Sequence, residues 1–469
     1  MLKLYKKFVL AVLLAVMPAG GGFAFSLLGP FDTWQAANIG YQLPEDIGGP
    51  MNIGEEYRWD VPVVVYAFDE SFLNYFGQRG TEEIDKAFAI LNALPPVSQM
   101  SSNLAEFPLE ARRINYAAQS LGIIDLKSTA LSLIVEAMGL ADPIRYTWCL
   151  RARGTYTVGG QTFTNYLVIK RNFDAVTWTN SSYVNGILYT YQIQEPLQPG
   201  DYADAVEQVA DPLFSVFRLP VAYFGGFGVL PGEFFTGLTR DDVGGLRYIY
   251  RADNFNVEQM PPTVTNYIAS GLGQGYTIYF PTNYTQNAGL TNLLGNLTNA
   301  PIATGLRPGL EKITFQRGNY DSLLGQFFIT NVYDYVDYVI TNNTLVKQNV
   351  RRVVTTPDIL FLAEDLGVVQ AGGVLSPVEL NRTAGFVSNA QLNGQTAQAG
   401  PGVIRGPITM SFTTLYPAFL NDTGYFFLTE DAAIRSAVWG SFDGSTNAPI
   451  VYPNYISIRD IERQVLLRQ

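Results

Sequence analysis

Val61-Pro62-Val63-Val64-Val65-Tyr66-Ala67-Phe68 is the stretch from which the chain is best read. It is apolar almost throughout, rich in β-branched residues, and predicts a short buried strand. Helix signals follow it. Thr81 is suited to cap a helix, with Glu82 and Glu83 in the first turn, where the positive end of the helix dipole favours them. Ile84, Phe88, Leu91 and Leu94 then recur at helical spacing, and Pro95-Pro96 stops the run. A second helix is expected from about Pro108 to Leu121, ended by Gly122. A third begins near Asp125 or Ser128 and carries Leu131, Ile134, Val135 and Met138 before Gly139.

Beyond Gly139 the pattern changes to strands over 145–156, 162–171 and 183–194, the first two joined at Gly159-Gly160. One more helix follows Thr239, with Asp241 and Asp242 in its first turn and Val243, Leu246, Ile249 and Tyr250 facing inward. Pro261-Pro262 marks the expected domain boundary, after which helical periodicity nearly vanishes. Strands are expected over 313–315, 326–330, 333–340, 350–355, 408–413 and 424–428, and 383–404 reads as a long uncharged surface loop.

Composition narrows the function. The chain has 469 residues, 47% of them hydrophobic and 13% aromatic, enough for sizeable cores. Only 15% are charged, and the net charge of −11 argues against a nucleic-acid partner. There is no histidine. Ser-His-Asp and Cys-His catalysis, histidine-ligated zinc and imidazole switching are therefore excluded. Cys149 is the single cysteine, so no internal disulfide can form, and its apolar neighbours predict a buried, inert thiol.

The N-terminus points to export. Lys3, Lys6 and Lys7 precede an apolar run from Phe8 to Met17, shorter than the ~20 residues of a membrane span. Ala24-Phe25-Ser26 offers small residues at −3 and −1, which predicts a signal peptide over 1–26 and a mature chain beginning at Leu27.

Two segments resemble parts of a matrixin-type metalloprotease domain of the metzincin group. Val63–Phe72 with the helix after it is similar to that domain's opening. Phe235-Thr236-Gly237-Leu238-Thr239-Arg240-Asp241-Asp242-Val243-Gly244-Gly245-Leu246 is similar to its last helix. Together they bracket residues 57–252. The resemblance implies a zinc helix of the form His-Glu-x-x-His-x-x-Gly-x-x-His/Asp. The nearest segment here is Ser132-Leu133-Ile134-Val135-Glu136-Ala137-Met138-Gly139-Leu140-Ala141-Asp142. Gly139 and Asp142 match, Ser132 and Glu136 stand at the first two ligand positions, and Leu133 replaces the general base. The order of elements also departs from the family, which places its sheet before the zinc helix. The segment is better read as an amphipathic helix with Glu136 in solvent and Gly139 just past its end.

Other carboxylates suit cation or acid–base chemistry less specifically. Asp334 and Asp337 stand close in sequence, and hard cations take oxygen ligands without histidine. Asp443-Gly444-Ser445-Thr446-Asn447 reads as a turn. No cofactor is predicted, and calcium is the cation these residues would suit. No catalytic residue is assigned; Glu136, Asp142, Asp334 and Asp337 are the weak metal candidates.

The expected architecture is an α+β domain over 27–260, metzincin-like in outline, followed by an all-β antiparallel sandwich-like domain over 261–469. The expected function is a secreted, non-catalytic structural or surface-assembly protein of the cell exterior. The alternatives are a polymer- or glycan-binding pseudo-enzyme and a carboxylate-only hydrolase. Expected partners are further copies in an oligomer or filament, or a polysaccharide or cell-surface partner. Nucleic acid is not expected, and no transmembrane segment remains once the signal is removed. A contact surface that is mainly aromatic and amide-rich is expected within 263–469.

Overall fold

In the computed structural model, Val63–Phe68 is a strand buried on both faces, which explains why its apolar residues run on without alternating. The structure describes residues 22, 24–29, 49–195, 203–210, 218–223, 229–259, 264–267, 304–321, 327–341, 344–363, 368–371, 374–377, 382–388, 400–412, 438–453 and 458–459. The protein is mostly β with few helices, arranged in several sheets.

The central sheet is built around Val63–Phe68. Thr314–Arg317 pairs with it in parallel on one side and Ile359–Leu362 on the other. Gly402–Ser411 follows in parallel, and Arg382–Ser388 closes that edge antiparallel. Tyr57–Trp59 pairs in parallel with the start of Gly402–Ser411. The boundary expected at Pro261-Pro262 thus falls between strands of one sheet. The later strands do not keep to an antiparallel sandwich of their own. Partners that lie hundreds of residues apart leave no local mark in the sequence.

Antiparallel pairing after 261 does occur in a second, five-stranded sheet. It comprises Asn256–Gln259, Thr304–Arg307, Asn331–Thr341, Thr344–Val354 and Val264–Tyr267. The expected loop over 383–404 is strand at both ends, and the strand expected over 424–428 lies outside the described residues.

Buried ion pairs join the two sheets. Arg58 donates from Nε to Glu258 at 2.7 Å and from Nη2 to the Arg307 carbonyl at 3.1 Å. Arg307 lies 3.6 Å from Asp60, 3.5 Å from Glu258 and 2.9 Å from Asp337. Arg352 pairs with Asp358 and donates to the Val63 carbonyl at 2.6 Å, while Asp358 accepts the Val65 amide at 2.8 Å.

Helix α1, Glu70–Asn92, begins earlier than expected because Asp69, not Thr81, caps it, accepting the Ser71 amide at 2.9 Å. Gly77, at φ 62°, interrupts it. Phe72, Phe76, Ile84, Phe88 and Leu91 face the core. The second expected helix shortens to α2, Tyr116–Ser120, capped by Asn115. Residues Arg112–Ile114 ahead of it pair instead with Glu233–Phe235. Helix α3 is Leu126–Ala137, with Asp125 accepting the Ser128 amide at 3.0 Å. Helix α4, Arg240–Tyr250, has the expected start, where Asp242 accepts the Thr239 amide at 2.8 Å and its hydroxyl at 2.6 Å. Among the described residues no helix is long and apolar enough to cross a membrane.

Residues Ala24–Gly29, half of which the expected cleavage after Ser26 would remove, form a fully buried strand. It pairs with Asn172–Asp174, Gly49–Met51 and Leu140–Ala141.

Candidate functional site

Helix α3 is not amphipathic. Apart from Lys127 every one of its residues is buried, including Ser128, Thr129, Ser132 and Glu136. The expectation that Glu136 meets solvent is therefore corrected: it is 5% exposed. Short hydroxyl side chains let a helix be covered on all sides without large apolar bulk, so the covered face carries no apolar stripe. Gly139 does end the helix, at φ 104°, where its amide donates to the Glu136 carbonyl at 2.8 Å.

Asp142 lies just beyond, 5% exposed. Its Oδ1 accepts the amides of Ile144 at 2.8 Å and Arg145 at 3.4 Å, and its Oδ2 has no hydrogen-bond partner. Burial pushes the Asp142 carboxyl up to about 7; the backbone amides and Arg145 oppose this, and Glu136 adds to it. Two tyrosines lie within the field of Asp142. Burial raises Tyr189 and Tyr223, and Asp142 and Glu207 raise both further. Sequence reasoning missed Tyr189. Its strand, Ile187–Gln194, is turned into place by Asn185-Gly186, at φ 44° and 79°. That Asn-Gly pair is a hairpin signal.

The zinc site implied by the resemblance does not fit these residues. The donors are one hydroxyl and two carboxyls, with one Asp142 oxygen already held by two amides. Among the described residues no three Cys, Asp or Glu side chains are placed to hold a metal ion. A cavity of about 30 Å³, room for roughly one water, lies beside Leu91, Met138 and Phe315, and Glu311 is its one acid. It does not bring two acids together.

Asp334 and Asp337 are not brought together. They stand an odd number of residues apart on Asn331–Thr341, so they face opposite sides of the sheet. Asp334 is exposed and held by Arg351 at 2.7 and 2.9 Å. Asp337 is buried against Arg307 and accepts from Gln348 at 3.1 Å. Both of these carboxylates are thus matched by an arginine. Asp443 accepts the Ser445 amide at 2.8 Å in a local turn. Cys149 is buried against Leu28, Ala141, Tyr146 and Leu150.

Among the exposed apolar residues, two groups lie on hairpins. The first arm is Cys149–Val158 with Gln161–Ile169, turned at Gly159-Gly160, and among the described residues its strands pair only with each other. Tyr156 and Phe163 are direct cross-strand partners, stacked with centroids 5.5 Å apart. Both are exposed, as are Val158 and Leu167. From Gly154 to Ile169 there is no Asp, Glu, Lys or Arg. The second arm is Asn331–Thr341 with Thr344–Val354, whose outer face carries Val332, Val336, Tyr338 and Leu345. This face lies within the region expected to carry contacts but mixes in Asp334, Arg351 and Lys347. Among the described residues, an uncharged aromatic surface lies on the first arm, ahead of 263.

Set against known proteins, the chain matches no family model, no curated protein and no solved structure.

Proposed function

We propose that this chain is a non-catalytic structural or surface-assembly protein of the cell exterior, and that copies meet through the first arm. The observation that carries the reading is the two-stranded ribbon itself, ending in the exposed Tyr156–Phe163 stack. An isolated two-stranded ribbon is marginal in water, and its unpaired edges are templates for a further strand. Edge lysines and other charges normally block such pairing, and residues 154–169 carry none. Copies of a chain with net charge −11 repel one another, so the uncharged outer part of the arm, residues 154–169, is where they approach at least electrostatic cost. Rigid aromatic rings add contact area with little entropy to lose. Replacing Tyr156 and Phe163 with lysine tests this: assembly of the purified protein should be lost while the fold is kept.

A second reading, a polymer- or glycan-binding pseudo-enzyme, is favoured by the same rings, because Tyr156 and Phe163 present aromatic faces on which a sugar can stack. Co-sedimentation with insoluble polysaccharides, lost in the same lysine variant that still self-associates, would favour it.

A further inference from the structure

We infer that the leader is cut between Gly21 and Gly22, not after Ser26. The inference rests on the proposed export of the chain. Four tripeptides after the apolar run Phe8–Met17 have small residues at −3 and −1: Ala19-Gly20-Gly21, Gly20-Gly21-Gly22, Gly22-Phe23-Ala24 and Ala24-Phe25-Ser26. Sequence rules do not separate them. The fold does.

A cut after Ser26 would remove residues that hold the core together. Ala24, Phe25 and Ser26 pair with Asp174, Phe173 and Asn172 along an antiparallel ladder. Phe25 is 2% exposed, packed between Phe173 and Tyr248 at ring distances of 6.1 and 5.3 Å. Ser26 donates from its hydroxyl to the Arg171 carbonyl at 3.0 Å. Without these three residues Asn172–Asp174 loses its partner in this sheet, and a phenyl-sized void opens beside α4. Loss of a buried phenylalanine alone costs about 3–5 kcal/mol.

Gly22 also belongs to the folded body. Its carbonyl accepts the Gly186 amide at 3.2 Å. A Cβ at Gly22 would lie 2.7 Å from the Tyr183 ring, so the packing there requires glycine. Of the four tripeptides only Ala19-Gly20-Gly21 leaves Gly22 on the retained chain, so Gly22 is its first residue and Gly21 the small −1 residue. In the reaction water adds across one peptide bond: the Gly21 carbonyl takes the hydroxyl, the Gly22 nitrogen takes the proton, and the host's leader peptidase is the catalyst.

The test is N-terminal sequencing and intact mass of the full chain expressed in a secreting host, from both cells and medium. A secreted chain beginning with Gly22 is expected. Gly21→Leu should abolish this cut and accumulate uncut chain, whereas Ser26→Leu should leave it in place, a readout that does not require the variant to fold. A secreted chain beginning at Leu27, or anywhere beyond Gly22, overturns the inference while export stands. A chain kept in the cell with Met1 intact overturns both.

Discussion

Arg307 donates from Nη2 to Asp337 Oδ2 at 2.9 Å across neighbouring strands, with side chains only 2% and 5% exposed. Asp60 and Glu258 lie within 3.6 Å of the same guanidinium. Arg307 thus bridges three buried acids where two sheets meet, with Arg58 also on Glu258 at 2.7 Å and Arg405 3.8 Å from Asp60. Replacing Arg307 with alanine leaves those acids short of positive charge, and a broken buried pair costs about 3–5 kcal/mol. Urea denaturation should show a loss of that order, and Asp337→Asn a smaller one. A midpoint unchanged by Arg307→Ala would mean that the acids are held by other groups or by water.

Stability should fall as pH rises from about 4 to about 7. Burial pushes Asp142 from its ordinary 3.8 up to about 7, so the folded state binds the proton more tightly than the unfolded state. The folded state is then favoured at low pH, and that advantage is lost between about pH 4 and pH 7. Asp125, pushed up to about 6, acts in the same direction. Asp142→Asn should flatten the decline by on the order of 2–4 kcal/mol between about pH 4 and pH 8. Denaturation of both proteins at matched ionic strength across that range measures it, and parallel curves would show that Asp142 ionises freely.

Gly139→Ala should destabilise the protein. At φ 104° an alanine is strained, and its Cβ would run into the Tyr57 carbonyl oxygen. Strain of this kind costs on the order of 1–3 kcal/mol before the clash is counted. Thermal unfolding should show a clear fall in Tm, and an unchanged Tm would mean the α3 terminus can move away from Tyr57.

What the sequence made legible is local. The α4 start at Thr239, Asp241 and Asp242 was readable because a cap lies within one turn of the residues it serves. The Gly159-Gly160 turn was readable for the same reason. Val63–Phe68 was recognisable as a buried strand, but its partners at Thr314–Arg317 and Ile359–Leu362 were not, since parallel pairing leaves no local signal. Glu136 was misread because a single acid on a helix looks like a solvent face until the covering elements are known. Asp334 and Asp337 looked like a pair, and strand periodicity put them on opposite faces. Tyr189 was findable only by giving Asn185-Gly186 its full weight as a hairpin turn.

The first arm should tolerate charge without loss of stability. Tyr156 and Phe163 are both exposed, and surface substitutions of this kind shift stability by about 0.5 kcal/mol or less. The double variant Tyr156→Lys, Phe163→Lys should therefore melt within a few degrees of the parent. A large fall in its Tm would show that the stack supports the fold rather than contacts between copies.

Sedimentation velocity of the purified protein and this double variant, across a concentration and salt series, tests the assembly claim most directly. The parent should form larger species, more of them as salt screens the net charge of −11, while the variant stays monomeric throughout. A parent that remains a monomer at every concentration and ionic strength, or a variant that assembles equally well, would contradict it.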